Sequence, residues 1–119
     1  MMRERLLWLA IGAVANLPAT AAPTFTQLSG REIVSRFSGM EFTDGVHWAY
    51  TFERGGRVSF TSMGRAGSGK WRVNGNQLCY DRQRGEACFE VWVSGNQVQL
   101  RTPRSELSED GVLQNPDRK

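Results

Sequence analysis

Apolar and polar residues alternate through much of the middle of the chain, and this period of two predicts antiparallel strands joined by tight turns. In WAYTFERGGRVSFTS, a loop at Arg54-Gly55-Gly56 puts the apolar residues of both flanking segments on one face. KWRVNGNQLCY follows the same design about Gly75-Asn76, and VWVSGNQVQL repeats it further along the chain. This register predicts the cross-strand pairs Phe52–Val58, Tyr50–Phe60, Val73–Leu78, Trp71–Tyr80, Val93–Val98 and Val91–Leu100.

Both cysteines of the chain lie in one further predicted hairpin, LCYDRQRGEACFEV. A loop over residues 82–85 places Cys79 directly opposite Cys88, and directly opposed residues have Cβ atoms near the separation that a disulfide requires. The chain has no C-x-x-C spacing, which a redox or metal role would favour. We therefore expect a Cys79–Cys88 bond.

One short helix is predicted before the hairpins, in LSGREIVSRFSGMEF. Ser29 with Glu32 three residues later forms a capping box, and Gly39 is placed to end the helix. We expect the helix to lie against the sheet through an apolar stripe formed by Ile33, Val34 and Phe37.

Together these elements predict a mainly β fold: a meander of six to eight antiparallel strands, curled into a small lipocalin-like barrel or half-barrel, with one N-terminal helix. Large side chains at the inward positions should fill the interior rather than leave a roomy ligand cavity. The predicted β domain covers residues 22–103. Residues 104–119 mix charges, one proline and one glycine with few apolar residues, which favours a flexible tail, with a short strand near Val112-Leu113 as the alternative.

The first residues, MMRERLLWLAIGAVANLPATAAPTF, have the pattern of a secretory signal peptide. Arg3 and Arg5 precede an apolar run, and Ala19-Thr20-Ala21 is a small-x-small cleavage sequence. We expect residues 1–21 to be removed and the mature chain to have no transmembrane segment, since this run is shorter than a bilayer requires. A periplasmic or secreted protein would also meet the oxidising conditions in which a disulfide persists.

The charge of the mature chain is small. The whole chain has 15 Lys and Arg and 12 Asp and Glu, and removal of the leader leaves 13 and 11. Such a balance does not favour a polyanion partner, and the aromatic residues of FERGGRVSF and KWRV fall on the apolar face, where they are core residues. We therefore expect no nucleic-acid binding.

Residues 63–71, MGRAGSGKW, contain G-x-x-x-x-G-K, the spacing of a phosphate-binding loop. Trp71 stands where that loop needs a hydroxyl residue, and a period-two strand follows where it needs a helix. We therefore expect no nucleotide, and a flexible glycine connection that leads into a strand from about Lys70.

Catalytic and metal-binding patterns are weak. His47 is the only histidine and has Asp44 three residues before it, but no G-x-S-x-G elbow or paired acids accompany it. One histidine and two paired cysteines cannot complete a zinc site, and the carboxylates lack a calcium-loop spacing. An enzyme is the least favoured class, and no cofactor is expected.

Several motifs between Leu28 and Leu100 carry a family resemblance. They are Leu28-Ser29-Gly30 at the helix start, the hairpin over residues 50–56, the G-x-W-x-V-x-G-x-x-L-C sequence at 69–79, and Cys88 after a short loop. In these motifs the chain resembles a group of small, uncharacterised, exported β-rich proteins of Gram-negative bacteria. The resemblance implies a fold and no activity. Gly69-x-Trp71 is also similar to the G-x-W of lipocalins, in which it lies on the first strand rather than about the third.

Trp92 is predicted to point outward, on the face that carries Cys79 and Cys88. We expect the helix to cover it through Ile33 and Phe37, with an exposed interface anchor as the alternative.

For function, we expect a binding module of the cell envelope that associates non-covalently with an envelope protein. The alternatives are a periplasmic structural or stress-associated protein without a ligand, and an inhibitor of a hydrolase. The candidate interface residues are Trp92, Asp44, Arg65 and Arg84.

Overall fold

The computed structural model describes residues 22–103 and 108–116, so the expected leader lies outside the described residues. Nine strands and one helix occur in this part of the chain. In chain order they are β1 (Thr26–Gln27), α1 (Gly30–Phe37), β2 (Met40–Thr43), β3 (Trp48–Phe52), β4 (Arg57–Ser62), β5 (Arg65–Asn74), β6 (Gln77–Arg82), β7 (Gly85–Ser94), β8 (Gln97–Arg101) and β9 (Ser108–Gln114).

Strands β2 to β9 form a closed antiparallel barrel of eight strands. Each pairs with its neighbour in the chain from β2 to β8, and β9 lies between β8 and β2, which closes the sheet. The short β1 pairs with the part of β7 that extends past β6. The predicted barrel with one helix is confirmed, and it is closed rather than half-open.

The predicted hairpin registers are also confirmed. All six apolar cross-strand pairs occur, and Cys79 lies opposite Cys88, to which it is bonded. The three-residue loop at 54–56 closes with a hydrogen bond from the Glu53 N–H to the Arg57 carbonyl, 2.8 Å long. Period-two alternation with glycine turns was therefore sufficient to fix these strands.

Helix α1 closes one end of the barrel. The Ser29–Glu32 capping box is present, and Gly39 follows the helix with a φ of 80°. The Gly30 N–H donates to Asn76 in the β5–β6 turn, and Arg36 donates to the Gly95 carbonyl in the β7–β8 turn. We call this the closed end.

Only part of the predicted apolar stripe is buried. Ile33 and Phe37 are fully buried, and the Phe37 ring meets the Phe52 ring edge-on at 5.3 Å. Val34 is 47% exposed and was wrongly included in the stripe. It lies one residue along from Ile33, where the helix has already turned away from the core.

The core lies inside the barrel and is mostly aromatic. Tyr80 packs against Tyr50, Phe52 and Phe89 with ring centroids 5.1, 5.2 and 5.8 Å apart. Trp71 is buried in the same cluster, and Trp48 and Phe60 pack against it. The assignment of the inward aromatics to the core is therefore confirmed.

The glycine-rich segment before Lys70 is a strand, so the expected flexible connection is wrong. Strand β5 begins at Arg65 and pairs with β4 along residues 65–70, and only Met63-Gly64 forms the turn. Gly67 lies opposite Phe60, and a Cβ atom at Gly67 would come within 2.6 Å of the Phe60 ring. The strand needs glycine there, and the glycine hides its alternation in the sequence.

The expected flexible tail over residues 104–119 is also corrected, because residues 108–114 form β9. Leu113 is buried and lies opposite Phe42. Gly111 lies under Phe42 and Trp48, where a side chain would not fit. The alternative of a short strand near Val112-Leu113 was nearer to the structure. Polar residues and Gly111 interrupt the alternation of β9, so the full length of the strand was not visible in the sequence.

Candidate functional site

Among the described residues, three turns lie at the end of the barrel opposite the helix, and we call them the mouth: residues 44–47, 63–64 and 83–84. The first two are joined by a hydrogen bond of 2.9 Å from the Met63 N–H to the His47 carbonyl. A cavity of about 400 Å³ is lined by Tyr50, Ser62 and residues 82–87, so the third turn borders the second. Asp44, Arg65 and Arg84 are thus brought to one end, with Arg65 as the first residue of β5.

Asp44 holds the first loop of the mouth. Its Oδ1 accepts hydrogen bonds from the backbone N–H groups of Val46, His47 and Trp48 at 2.9, 2.7 and 3.1 Å. Its Oδ2 lies 2.9 Å from His47 Nδ1. Partial desolvation acts to raise the pKa of Asp44, but these donors outweigh it and hold the pKa well below its usual range. The carboxylate therefore stays charged and fixes the loop.

Val46 and Met63 form an apolar pair on the two bonded loops, which we call the rim pair. Their exposed fractions are 81% and 72%, against 47% for Val34 at the closed end. Met63 has a φ of 52°, and it is the only non-glycine residue with positive φ among those described. Asparagine and glycine adopt this conformation at lower cost. A strained, exposed methionine at a turn points to a role outside folding.

A polar cluster lies inside the barrel near the mouth. The Glu109 carboxylate accepts a hydrogen bond from the Tyr80 hydroxyl at 3.2 Å. It also forms an ion pair with the Arg82 guanidinium at 2.6 Å. The Arg82 guanidinium also lies 5.5 Å from the centre of the Phe89 ring. Burial, followed by the negative charge of Glu109, raises the pKa of Tyr80 well above its ordinary value. This cluster joins β6 to β9 across the interior, next to the third turn.

Basic residues surround the second and third turns. Arg65 and Arg84 are exposed, as is Lys70 further along β5. None of the three makes an ion pair with any residue that the structure describes. Lys70 lies opposite Arg57 near the β3–β4 turn, so Arg65 and Arg84 are the cations without an ion-pair partner beside the second and third turns.

Trp92 lies on the outer wall, away from the mouth, and its expected cover by the helix is wrong. Ile33 and Phe37 belong to the interior cluster, whereas the Arg101 guanidinium lies 4.2 Å from the centre of the Trp92 ring. The indole N–H donates to Glu90 at 3.1 Å. A cation–π contact from the neighbouring strand supplies the cover instead.

The disulfide also lies on the wall rather than at the mouth. It joins adjacent strands of the β6–β7 hairpin, and Cys79 is fully buried. It therefore braces the hairpin whose tip carries Arg84.

Two features that the described residues lack bear on their chemistry. Within residues 22–103 and 108–116, no three His, Cys, Asp or Glu side chains are grouped as metal ligands would be. No helix in the described part of the chain is long and apolar enough to cross a bilayer.

Comparisons with protein-family models, with curated proteins and with solved structures each find no match for this chain. Of the candidate interface residues, Asp44, Arg65 and Arg84 lie at the mouth and Trp92 does not, and the rim pair was not among them. The available signal was Met63-Gly64 itself, a two-residue turn that carries methionine where asparagine is favoured.

Proposed function

We propose that this protein is a non-catalytic binding module of the cell envelope, which associates with another protein through the mouth of its barrel. The observation that carries the proposal is the rim pair. Two exposed apolar side chains lie on adjoining, hydrogen-bonded loops, and Met63 holds its place in a strained conformation. Methionine is an adaptable contact residue, and exposed apolar side chains of this kind gain most when a partner buries them.

Two of the turns at the mouth are held in place by contacts within the chain itself. Asp44 fixes the Val46 loop through three backbone hydrogen bonds, and the disulfide braces the hairpin that carries Arg84. A binding surface that is already ordered loses less conformational entropy on association. Preorganisation therefore favours a recognition role over a purely structural one.

The same geometry favours binding over catalysis. The Asp44–His47 pair resembles part of a catalytic arrangement, but Asp44 uses its carboxylate to hold its own loop. The Asp44–His47 pair therefore has a structural role in this loop. Asp44→Asn should therefore weaken association through a loosened loop, with no loss of turnover to measure.

Location in the cell envelope is supported by two features. A disulfide such as Cys79–Cys88 persists in oxidising compartments outside the cytoplasm. The N-terminal residues have the pattern of a signal peptide. The resemblance to small exported proteins of Gram-negative bacteria favours the periplasm over release into the medium.

Affinity capture from envelope extract tests the proposal. The baits are the mature wild type, a Val46→Ser/Met63→Asn double variant, and Val34→Ser as a matched control that removes an exposed valine at the closed end. We expect one saturable partner that the double variant loses and the control keeps. A small-molecule thermal-shift screen runs beside it. Equal capture by all three baits, or a specific metabolite shift with no protein partner, would contradict the proposal.

A further inference from the structure

Strand β5 extends past its neighbour at the mouth. Its first six residues pair with β4, but only residues 71–74 pair with β6. Strand β6 ends at Arg82, where the chain turns back into β7. Gly69 lies against Asp81 of β6, so residues 65–68 of β5 have a strand on one side only, and we call their other side the free edge.

The backbone directions along the free edge follow from one hydrogen bond. The Trp71 N–H donates to the Gly56 carbonyl at 2.9 Å, on the β4 side. Because backbone groups alternate sides along a strand, Gly69, Gly67 and Arg65 also face β4. Ala66, Ser68 and Lys70 face the other way. The Lys70 N–H is taken by Asp81 at 2.8 Å, which leaves Ala66 and Ser68 to present their N–H and C=O groups on the free edge.

An edge of this kind is normally protected in natural sheets, because it templates pairing with another strand. Here the outer positions are the small side chains of Ala66 and Ser68, both exposed. Arg65, Lys70 and Arg84 have no ion-pair partner among the described residues, and Asp81 is the carboxylate beside them, so the charge along the edge is positive on balance. The edge is open to backbone pairing and attracts negative charge.

Charge also distinguishes between two possible partners for the free edge, a second copy of this chain and an acidic strand of another protein. A second copy of this chain would bring its own Arg65, Lys70 and Arg84 to the same edge, and like charges that are brought together repel each other. An acidic strand would meet those cations favourably.

We infer that the free edge of β5 binds an extended acidic peptide segment of the partner, which adds a strand beside Ala66 and Ser68. This mode supplies affinity through main-chain hydrogen bonds. Four residues of strand span about 13 Å, enough for a short linear segment. The inference rests on the proposed function and names the chemistry of the partner that the mouth would bind.

Backbone hydrogen exchange on the mature protein tests the inference directly. The probe is the synthetic peptide acetyl-Glu-Val-Thr-Val-Glu-Val-amide, and the control is the same peptide with lysine for glutamate. We expect the Ala66 and Ser68 amides to exchange rapidly in the free protein and to slow by about tenfold with the acidic peptide only. The Gly67 and Gly69 amides, which face β4, should be protected throughout. Protection of Ala66 and Ser68 without peptide, accompanied by a dimer in sedimentation, would overturn the inference.

Two variants at position 68 separate the contribution of the backbone N–H to peptide binding from that of the side chain. Ser68→Pro removes the N–H on the free edge without touching a bond to β4, a placement that edge strands tolerate. It should weaken peptide binding by about tenfold, whereas Ser68→Ala should leave it within about twofold. Equal binding by both variants, with the fold confirmed by an unchanged melt, would overturn the inference. If envelope capture still depended on the rim pair in that case, the proposed function would stand without the added strand.

Discussion

Met63 is unfavourable for stability in two respects, because it has a left-handed backbone conformation and an exposed apolar side chain. Its left-handed backbone conformation costs roughly 1 kcal/mol relative to a residue suited to that region. Asparagine is favoured at such a turn position and would expose less apolar surface. We therefore expect Met63→Asn to raise the free energy of unfolding by about 0.5–1 kcal/mol, measured by urea denaturation.

The same variant should weaken partner capture, because the side chain that it removes is the proposed contact. A gain in stability with a loss of binding is the pattern expected of a functional residue. If Met63→Asn destabilised the protein, the assigned turn conformation would be wrong.

Asp44 gives the fold a specific dependence on pH. Because its pKa is lower in the folded protein than its ordinary value of 3.8, its contribution is present above that value and is lost as pH falls towards the folded pKa. Glu32 acts in the same direction through its hydrogen bonds with Ser29, so a variant is needed to separate the two.

Asp44→Asn provides that separation, since its amide cannot titrate. We expect the variant to be less stable than the wild type at neutral pH, with the difference shrinking between about pH 4 and pH 2. Urea midpoints measured across this range check the expectation. Parallel curves for the two proteins would show that Asp44 does not hold the loop.

At the scale of elements, β9 is the strand that closes the barrel. Leu113 is buried against Phe42, whereas Asp110 is exposed on the same strand. Leu113→Ala should lower the free energy of unfolding by about 2–4 kcal/mol, while Asp110→Ala should change it by less than about 0.5 kcal/mol. Thermal or urea unfolding of the two variants measures this. Equal, small effects would mean that this segment frays.

The β6–β7 hairpin depends on its disulfide. The bond joins residues nine apart, and closing so short a loop stabilises the fold by about 2.5–3 kcal/mol in the chain-entropy model. The Cys79→Ala/Cys88→Ala variant should lose that amount, and its urea midpoint should not respond to reducing agent. A wild-type midpoint that is equally insensitive to reduction would contradict a structural role for the bond.

A strand can be predicted from the sequence when its alternating apolar and polar side chains are present, and it is missed when glycine replaces one of them. The Tyr50–Phe60 and Trp71–Tyr80 pairs are local and apolar, so alternation and turn residues were enough. Strand β9 hides its pattern behind Gly111, which exists because Phe42 packs over it, and that contact is visible only in the fold. The rim pair was missed for a similar reason, since the strain at Met63 becomes apparent only when the turn is known.

The whole molecule is a barrel with two unlike ends. Helix α1 covers one end and inserts Phe37 into the core. The other end has exposed apolar and basic side chains on loops that Asp44 and the disulfide hold in place. This polarity leads us to assign function to the mouth and stability to the closed end.

Site-specific photo-crosslinking in intact cells tests this assignment most directly. A photoreactive amino acid is placed at position 46, 63 or 34, one position at a time, in the full-length protein. The account predicts a discrete adduct with one envelope protein from positions 46 and 63, and none from position 34 at the closed end. Adducts from position 34 alone, or from none of the three positions, would contradict the claim that the mouth is the binding surface.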